Sequence, residues 1–259
     1  MTSTGRAPIS VVIAAHNEAA NIEACLASVS WAAEAIVVEN DSADDTADRA
    51  RSVGAKVICP PFTTIGHARN AGIEIASHPW ILVLDADERC TPELAAELRA
   101  IAAAPSVPEA YRIPRRDYFL DREIKHGGWD RDKPVRFFPS TLRYDDKKVH
   151  EGVRAQGDIG ETRGTLLHTP YATLGTYYEK LNRYSRDWAE QNFANGRRTG
   201  IVSAMLRGRL RFASMYILRG GFLDGAHGLL VARLAEASVL AKYARLWELT
   251  LRERADKGK

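Results

Sequence analysis

Through the first hundred residues, short apolar runs alternate with stretches in which apolar residues recur every three or four positions. That alternation predicts βαβ units on a largely parallel sheet. Ile9 to Ala15 (ISVVIAA) reads as the first strand, and Ile22, Cys25, Leu26 and Val29 lie at helical spacing behind it. Ala35 to Glu39 (AIVVE) reads as the second strand. Ser42-Ala43-Asp44-Asp45 has the form of a capping box and predicts a helix to about Val53, with KVICP as a short third strand after it. A helix from about Ile65 to Ala76 leads into Trp80-Ile81-Leu82-Val83-Leu84, an apolar run that reads as a strand buried on both faces. It ends abruptly in Asp85-Ala86-Asp87-Glu88. Thr91-Pro92-Glu93 then supplies an N-cap, a first-turn proline and an early acid for a helix to about Ala103.

Beyond Pro105 the pattern changes. Residues 110 to 168 are rich in Arg, Asp, Tyr and Gly, with short β-like pieces (AYRIP, VRFFP, TLLH) that predict an antiparallel extension and site-shaping loops. From Ala172 the period is helical, with Leu174, Tyr177, Tyr178, Leu181, Tyr184 and Trp188 on one stripe. The expected organisation is a domain over 1–170, divided near 105 into two halves, and a helical segment over 171–259. No internal repeat or low-complexity tract interrupts it.

Composition narrows the classes. The 259 residues are 45% hydrophobic and 27% charged, enough for a substantial core, and a net charge of +3 does not call for nucleic acid. Cys25, Cys59 and Cys90 have neither disulfide-framework nor zinc spacing and read as small buried thiols of a reducing compartment. The N-terminus lacks the pattern of a signal peptide, and no apolar run approaches the ~20 residues of a membrane span. The expectation is a cytoplasmic protein.

In an open α/β sheet, ligands bind outside the carboxyl ends of the strands. Those ends carry Ala14-Ala15-His16-Asn17-Glu18, Glu39-Asn40-Asp41 and Asp85-Ala86-Asp87. Acids at three strand ends suit a site for a cation and a polar ligand. On an extended chain Asp85 and Asp87 would share one side, with Cα atoms roughly 6 to 7 Å apart, a spacing that suits Mg²⁺ or Mn²⁺ completed by water and phosphate oxygens. The competing reading is a polar turn feeding the Thr91 helix. The turn after the first strand, AAHNEAAN, has no glycine, which argues against a dinucleotide fingerprint and leaves metal plus arginine to hold phosphates. Arg69 in GHARNAG is the candidate for that charge. His126-Gly127-Gly128-Trp129 reads either as a sugar-facing wall, the indole offering an apolar face, or as a glycine turn with a core tryptophan.

In their order and spacing, ISVVIAAHNEAANIEACLASV, IVVENDSADDT, GHARNAGIEIA and WILVLDADE resemble glycosyltransferase family 2, inverting nucleotide-sugar enzymes of the GT-A fold. YRIPRRDYFLDREIKHGGW, KVHEGV, YEKLNRYSRDWA and the YILRGGFLDGAHGLL…KYARLWEL tail resemble the branch containing bacterial lipopolysaccharide core β-1,4-glucosyltransferases. The resemblance implies a GT-A, Rossmann-like mostly parallel sheet with an antiparallel extension and a C-terminal helical appendage. The donor implied is a UDP-sugar, UDP-glucose first among them, and the cofactor Mg²⁺ or Mn²⁺. Asp87 would be the metal ligand, with Asp85 supporting it and touching the sugar or ribose. Ala14, His16, Glu18, Glu39, Asp41 and Arg69 would line the donor. Glu39 stands where the family usually has Asp against the uracil, and Asn40-Asp41 replaces a glycine-containing turn. Glu151, beside His150, is the implied catalytic base, with Asp145 and Asp146 as runners-up. His126, Trp129, Asp132, Arg136 and His150 would face the acceptor or the transferred sugar. His168 is either a third metal ligand or a packed structural histidine.

Between Arg197 and Arg219 six arginines occur without an acid, interleaved with Leu206, Leu210, Phe212, Met215 and Leu218. That pattern suits contact with an anionic membrane surface, or else a helical pair packed on the rest of the protein. The function expected is transfer of a hexose, glucose first, to a lipid-linked saccharide such as lipopolysaccharide core, at the inner face of the cytoplasmic membrane. The rivals are a nucleotidyltransferase, which would want a glycine-rich loop early in the chain, and a non-catalytic nucleotide-sugar or glycan-binding protein.

Overall fold

A computed structural model describes residues 5–61, 64–129, 133–145 and 152–257. The chain divides into two compact units, Met1–Arg116 with Asp132–His168, and Asp117–Arg131 with Thr169–Lys259.

The first unit is built on β1 (Ala7–Ala15), β2 (Ala32–Glu39), β3 (Lys56–Ile58) and β4 (Trp80–Asp85), joined through α1 (Ile22–Ser28), α2 (Thr46–Ser52) and α3 (Ile65–Glu74). A short β5 (Glu88–Cys90) and α4 (Pro92–Ala103) follow, then β6 (Ala110–Arg112). β7 (Arg115–Phe119) and β8 (Arg122–Ile124) come next, then β9 (Val135–Pro139), β10 (Ile159–Glu161) and β11 (Leu166–Tyr171). Seven strands form one sheet in the order β10-β6-β9-β4-β1-β2-β3. β4, β1, β2 and β3 are parallel, whereas β9 runs antiparallel to both β4 and β6. This is the mostly parallel GT-A sheet with its antiparallel extension.

Successive side chains of a strand point to opposite faces, and here both faces are covered. Val11, Ile13, Leu82, Leu84 and Phe137 pack with Ile22, Cys25, Leu94 and Leu98 on one side. Val12, Ile36, Val38, Ile81, Val83 and Phe138 pack with Ala68 and Ile73 on the other. Two-sided burial explains why β1 and β4 read as continuous apolar runs, and each fully buried Leu, Ile or Phe contributes about 1.5–3 kcal/mol. Gly72 lets α3 approach, since a Cβ there would meet Val12 Cγ1 at 2.5 Å and Val38 Cγ2 at 2.8 Å. α4 starts as the sequence predicts, with the Thr91 hydroxyl accepting from the Leu94 N–H at 3.2 Å and Pro92 in the first turn.

Three local expectations are corrected. The capping box at Ser42 does not form, and α2 begins at Thr46 after Asp45, which makes no side-chain cap. The Ser42 hydroxyl instead accepts from the Asn17 N–H at 2.9 Å, and Asp44 accepts from Thr46 and from the Ala19 N–H. These polar groups fasten the loops after β1 and β2 together, a demand that local spacing does not reveal. The thiols are not all buried, because Cys59 is exposed at the end of β3. On the predicted stripe of α5 (Leu174–Ala194) Tyr177 is buried and Leu181 and Trp188 are half-buried, while Leu174, Tyr178 and Tyr184 are exposed.

The second unit holds the β7–β8 hairpin, paired from Asp117↔Ile124 to Phe119↔Arg122. It also holds α5, α6 (Ile201–Ala213), a π turn over Ser214–Leu218, a 3₁₀ turn over Gly221–Asp224 and the long α7 (Gly225–Lys257). Its core joins Phe119, Ile124, Tyr177, Met215, Val231, Ala232 and Leu234. Among the described residues no helix is long and apolar enough to cross a membrane.

Candidate active site

Strand register brings the acids of the sequence motifs together. Ala15 at the end of β1 pairs with Glu39 of β2 on one side, and Ala14 pairs with Asp85 of β4 on the other. With strands about 4.8 Å apart, Glu39 and Asp85 end up roughly 10 Å from each other across the end of β1. Chain order reverses between β1 and β4, the position where open α/β sheets bind ligands.

Asp85 is held by three arginines. Arg69 Nη2 lies 2.7 Å from Oδ1, Arg136 Nη2 lies 2.5 Å from Oδ2, and Arg115 Nη2 lies 3.4 Å from Oδ2. Burial alone would raise its pKa, but Arg136, Arg69 and Arg115 outweigh it and hold the carboxyl well below the usual carboxylate range. Glu88 is fully buried beneath it, accepting the Asp85 N–H at 2.8 Å and meeting Arg115 Nε at 2.7 Å. Burial, only partly offset by Arg136, pushes the Glu88 carboxyl up. Arg136 is 3% exposed, and its Nε and Nη1 have no hydrogen-bond partner among the described residues.

The chain turns at Ala86–Asp87, so Asp85 and Asp87 do not form a pair on one side of an extended strand. Asp87 faces another partner. β5 pairs antiparallel with β11, His168 opposite Glu88, and this brings His168 Nε2 to 3.6 Å from Asp87 Oδ1. An oxygen and a nitrogen donor so placed fit a divalent cation such as Mn²⁺ or Mg²⁺ whose remaining positions go to water and phosphate oxygens. No group of three or more His, Cys, Asp or Glu suited to a metal occurs among the described residues.

At the other side of β1, the buried Glu39 accepts from the Ser42 N–H through Oε1 and from the Cys59 thiol through Oε2 at 3.3 Å. Burial opposes ionisation there, yet the bonds from Ser42 and Cys59 prevail and lower its pKa. Partial desolvation and then the bond to Glu39 push the Cys59 thiol up. His16 Nδ1 lies 2.5 Å from the Asn40 carbonyl, and Asn17 and Asp41 both take left-handed backbone conformations with φ of 55° and 47°. His16 and Asp41 are exposed and Ala14 and Glu18 half-buried around this lip.

The remaining candidates divide between the units. Asp145 accepts from the Gly152 N–H at 3.2 Å; Asp146, His150 and Glu151, which lie between these two residues in sequence, fall outside the described residues, as does Asp132. His126 and Trp129 belong to the second unit. There His126 Nδ1 meets Asp224 Oδ1 at 2.9 Å, and the Trp129 ring stands edge-on to Phe119 with centroids 6.4 Å apart. Sequence reasoning passed over Arg115, Glu88 and Cys59. Glu88 carried a signal, as the third acid of the Asp85-Ala86-Asp87-Glu88 cluster, but Arg115 is one of many arginines in its stretch.

Comparison with known proteins follows the same outline. The family model described as Glycosyl transferase family 2 matches residues 10–156, more than half the chain. A lipopolysaccharide core biosynthesis glycosyltransferase, LpsC of Rhizobium meliloti, is 27% identical over 252 residues, covering 92% of this chain and 93% of its own. A glycosyltransferase of Rickettsia bellii is 28% identical over 265 residues, covering 94% and 87%. Among solved structures, glucosyl-3-phosphoglycerate synthase from Mycobacterium tuberculosis, with Mn²⁺, UDP and glucosyl-3-phosphoglycerate, is 28% identical at a TM-score of 0.38 and covers 43% of this chain and 45% of that one.

Proposed function

The chain belongs to glycosyl transferase family 2, and from that premise we propose that it moves a hexose, glucose first, with inversion from a UDP-sugar to a lipid-linked saccharide of the cell envelope. The observation that carries the reading is the convergence, around the end of β1, of a hydrogen-bonded Glu39, an arginine-held Asp85 and the Asp87–His168 pair. Lipopolysaccharide core biosynthesis, to which the Rhizobium relative belongs, supports lipopolysaccharide core as the acceptor. A lipid-borne acceptor would take the enzyme to the inner face of the cytoplasmic membrane, where the arginine-rich segment would meet an anionic surface.

Each residue has a distinct task in this reading. Glu39, ionised and flanked by Cys59 and Asp41, accepts a hydrogen bond from the base, and His16 and Glu18 border the nucleotide with Ala14 beneath it. Asp87 and His168 would hold a divalent cation, which when bound would supply positive charge against the departing diphosphate. Asp85 fixes Arg69, Arg115 and Arg136 at the same end of the sheet, so these guanidiniums would meet the developing anion without having to reorganise. Glu151 takes the acceptor hydroxyl proton as the bond to the anomeric carbon forms; its support is the family resemblance.

The test is release of nucleoside diphosphate from UDP-, GDP- and dTDP-sugars with a lipid-linked saccharide extract, in Mn²⁺ or Mg²⁺ and then in EDTA. Chelator-sensitive release from one UDP-hexose, lost in Asp87→Ala, is the expected result. No release from any donor would overturn the transferase reading in favour of a nucleotide-sugar or glycan-binding protein.

A further inference from the structure

α6 is packed inside out. The residues it turns toward α7 are small: Ala204 is fully buried, and Gly208 is buried where a Cβ would come 3.3 Å from the Glu236 carbonyl oxygen. Its large apolar residues point the other way. Val202, Leu206 and Leu210 are exposed along one helical face, and the row continues past the helix through Leu218, which is 81% exposed, to Phe222 and Leu223 of the 3₁₀ turn. Scattered exposed leucines need no explanation, but a contiguous row marks a contact surface. Phe212, which the sequence reading placed on the same surface, is half-buried, with Tyr216 stacked on it and Arg233 4.0 Å from its ring centre.

The charge around the row points to the partner. No acid occurs from Arg197 to Leu223, and the first one reached, Asp224, is buried. Arg209, Arg211 and Arg219 form no ion pair among the described residues, and Arg219 lies over Gly128. Burial and then Arg219 lower the pKa of Arg211, while burial and then Arg211 lower that of Lys242. These cations therefore repel one another. A second copy of the chain is a poor occupant, because pairing the face with itself would oppose arginine to arginine.

We propose that the outer face of α6 and the elbow from Ser214 to Asp224 dock on an anionic phospholipid bilayer, with Leu218, Phe222 and Leu223 entering the acyl boundary and Arg209, Arg211 and Arg219 meeting lipid phosphates. Non-polar insertion and arginine–phosphate attraction then act together, as in interfacial helices. The elbow also carries a loop. Asp224 Oδ2 accepts the N–H groups of Lys125 and His126, and the Gly127 N–H donates to the Arg219 carbonyl at 2.9 Å. Docking therefore holds the loop that leads to Trp129 at the membrane surface. The inference deepens the proposed acceptor class and rests on it for its purpose, while the contact itself is measurable without any acceptor.

The experiment is co-sedimentation of the full chain with vesicles of phosphatidylcholine, alone or mixed with phosphatidylglycerol. The expected result is binding to the mixed vesicles that weakens with salt and drops about tenfold or more in Leu218→Asp/Phe222→Asp and in Arg209→Glu/Arg211→Glu. These side chains reach the surface, and Arg211→Glu would place a carboxylate facing Arg219 and Lys242, so neither variant's thermal midpoint should fall below the wild-type value. Absence of vesicle binding, equal binding to neutral vesicles, or wild-type binding by both variants overturns the proposal. So does a lipid-free dimer that Leu218→Asp/Phe222→Asp abolishes, which would give the face to a second copy. If vesicles do not bind but a lipid-linked saccharide is still glycosylated, this surface fails and the function stands. If vesicles bind and no donor is ever consumed, the function fails and the surface stands.

Discussion

Replacing Arg136 by Met should destabilise the first unit more than any exposed ion pair could. Arg136 is 3% exposed, lies 2.5 Å from Asp85 Oδ2 and 3.7 Å from Glu88 Oε1, and shares both acids with Arg115. At an effective dielectric of about 20, unit charges about 4 Å apart attract by about 4 kcal/mol. Part of that is offset because Met no longer buries a guanidinium, but the half-buried Asp85 and the fully buried Glu88 both lose a guanidinium partner. Removing one partner from a buried ionic set costs about 3–5 kcal/mol. At roughly 2–4 °C per kcal/mol, the thermal midpoint should fall by about 10 °C. The assay is thermal and urea unfolding of wild type, Arg136→Met, Asp85→Asn and the double variant. Direct contact predicts a double variant more stable than the sum of the single losses implies, by roughly 1–3 kcal/mol. Added salt should leave the difference in place, because a buried pair is poorly screened. A loss below about 1 kcal/mol, the range of exposed pairs, or strict additivity would refute the reasoning.

Gly72→Ala should cost about 1–3 kcal/mol, because its methyl would sit 2.5 Å from Val12 Cγ1; an unchanged urea midpoint would remove the tight α3 contact. Thr91→Ala should lose about 1 kcal/mol with the N-cap of α4, and Thr91→Ser should retain most of it. A thiol reagent should modify Cys59 alone in the native protein, since Cys25 and Cys90 are buried, and UDP should slow the reaction; an unchanged rate would detach Cys59 from the nucleotide. Asp85, with its pKa depressed by arginines that outweigh its burial, should contribute stability that is complete above its unfolded pKa of about 3.9 and disappears as pH falls through the folded value. Glu88 acts oppositely, losing stability as pH rises above about 4.3 toward its raised folded pKa. The acid-side fall in thermal midpoint should therefore be shallower in Asp85→Asn than in wild type; equal slopes would contradict the assigned depression.

What could be read from the sequence were features that depend on near neighbours. Thr91-Pro92 starts a helix by chemistry contained within four residues, and β4 announces itself because both its faces are apolar. What could not be read was choice of partner at long range. Ser42 carries the residue types of a capping box but bonds to Asn17, 25 residues earlier, and Arg115 reaches Asp85 from 30 residues away. Periodicity marked α6 as amphipathic without telling which face is inward. Ala204 and Gly208 decide that, because only small residues allow α7 so close, and the large apolar side chains are left on the outside.

The same distinction assigns different chemistry to the two aspartates after β4. A carboxylate already shared among three guanidiniums has little left for a cation, since a metal would have to displace Arg69 or Arg136 from a buried site and leave that arginine uncompensated. Asp87 stands within 3.6 Å of a histidine nitrogen. Asp85 is therefore the residue that gathers guanidiniums, and under the proposed function Asp87 is the one that would meet the cation. Arg69, Arg115 and Arg136 meet Asp85 at the end of β4, and Arg115 also reaches Glu88. A strand buried on both faces delivers carboxylates at its end because there they do not stand alone in water. They organise guanidiniums that would otherwise repel one another, and under the proposed function those guanidiniums are the groups a diphosphate would meet.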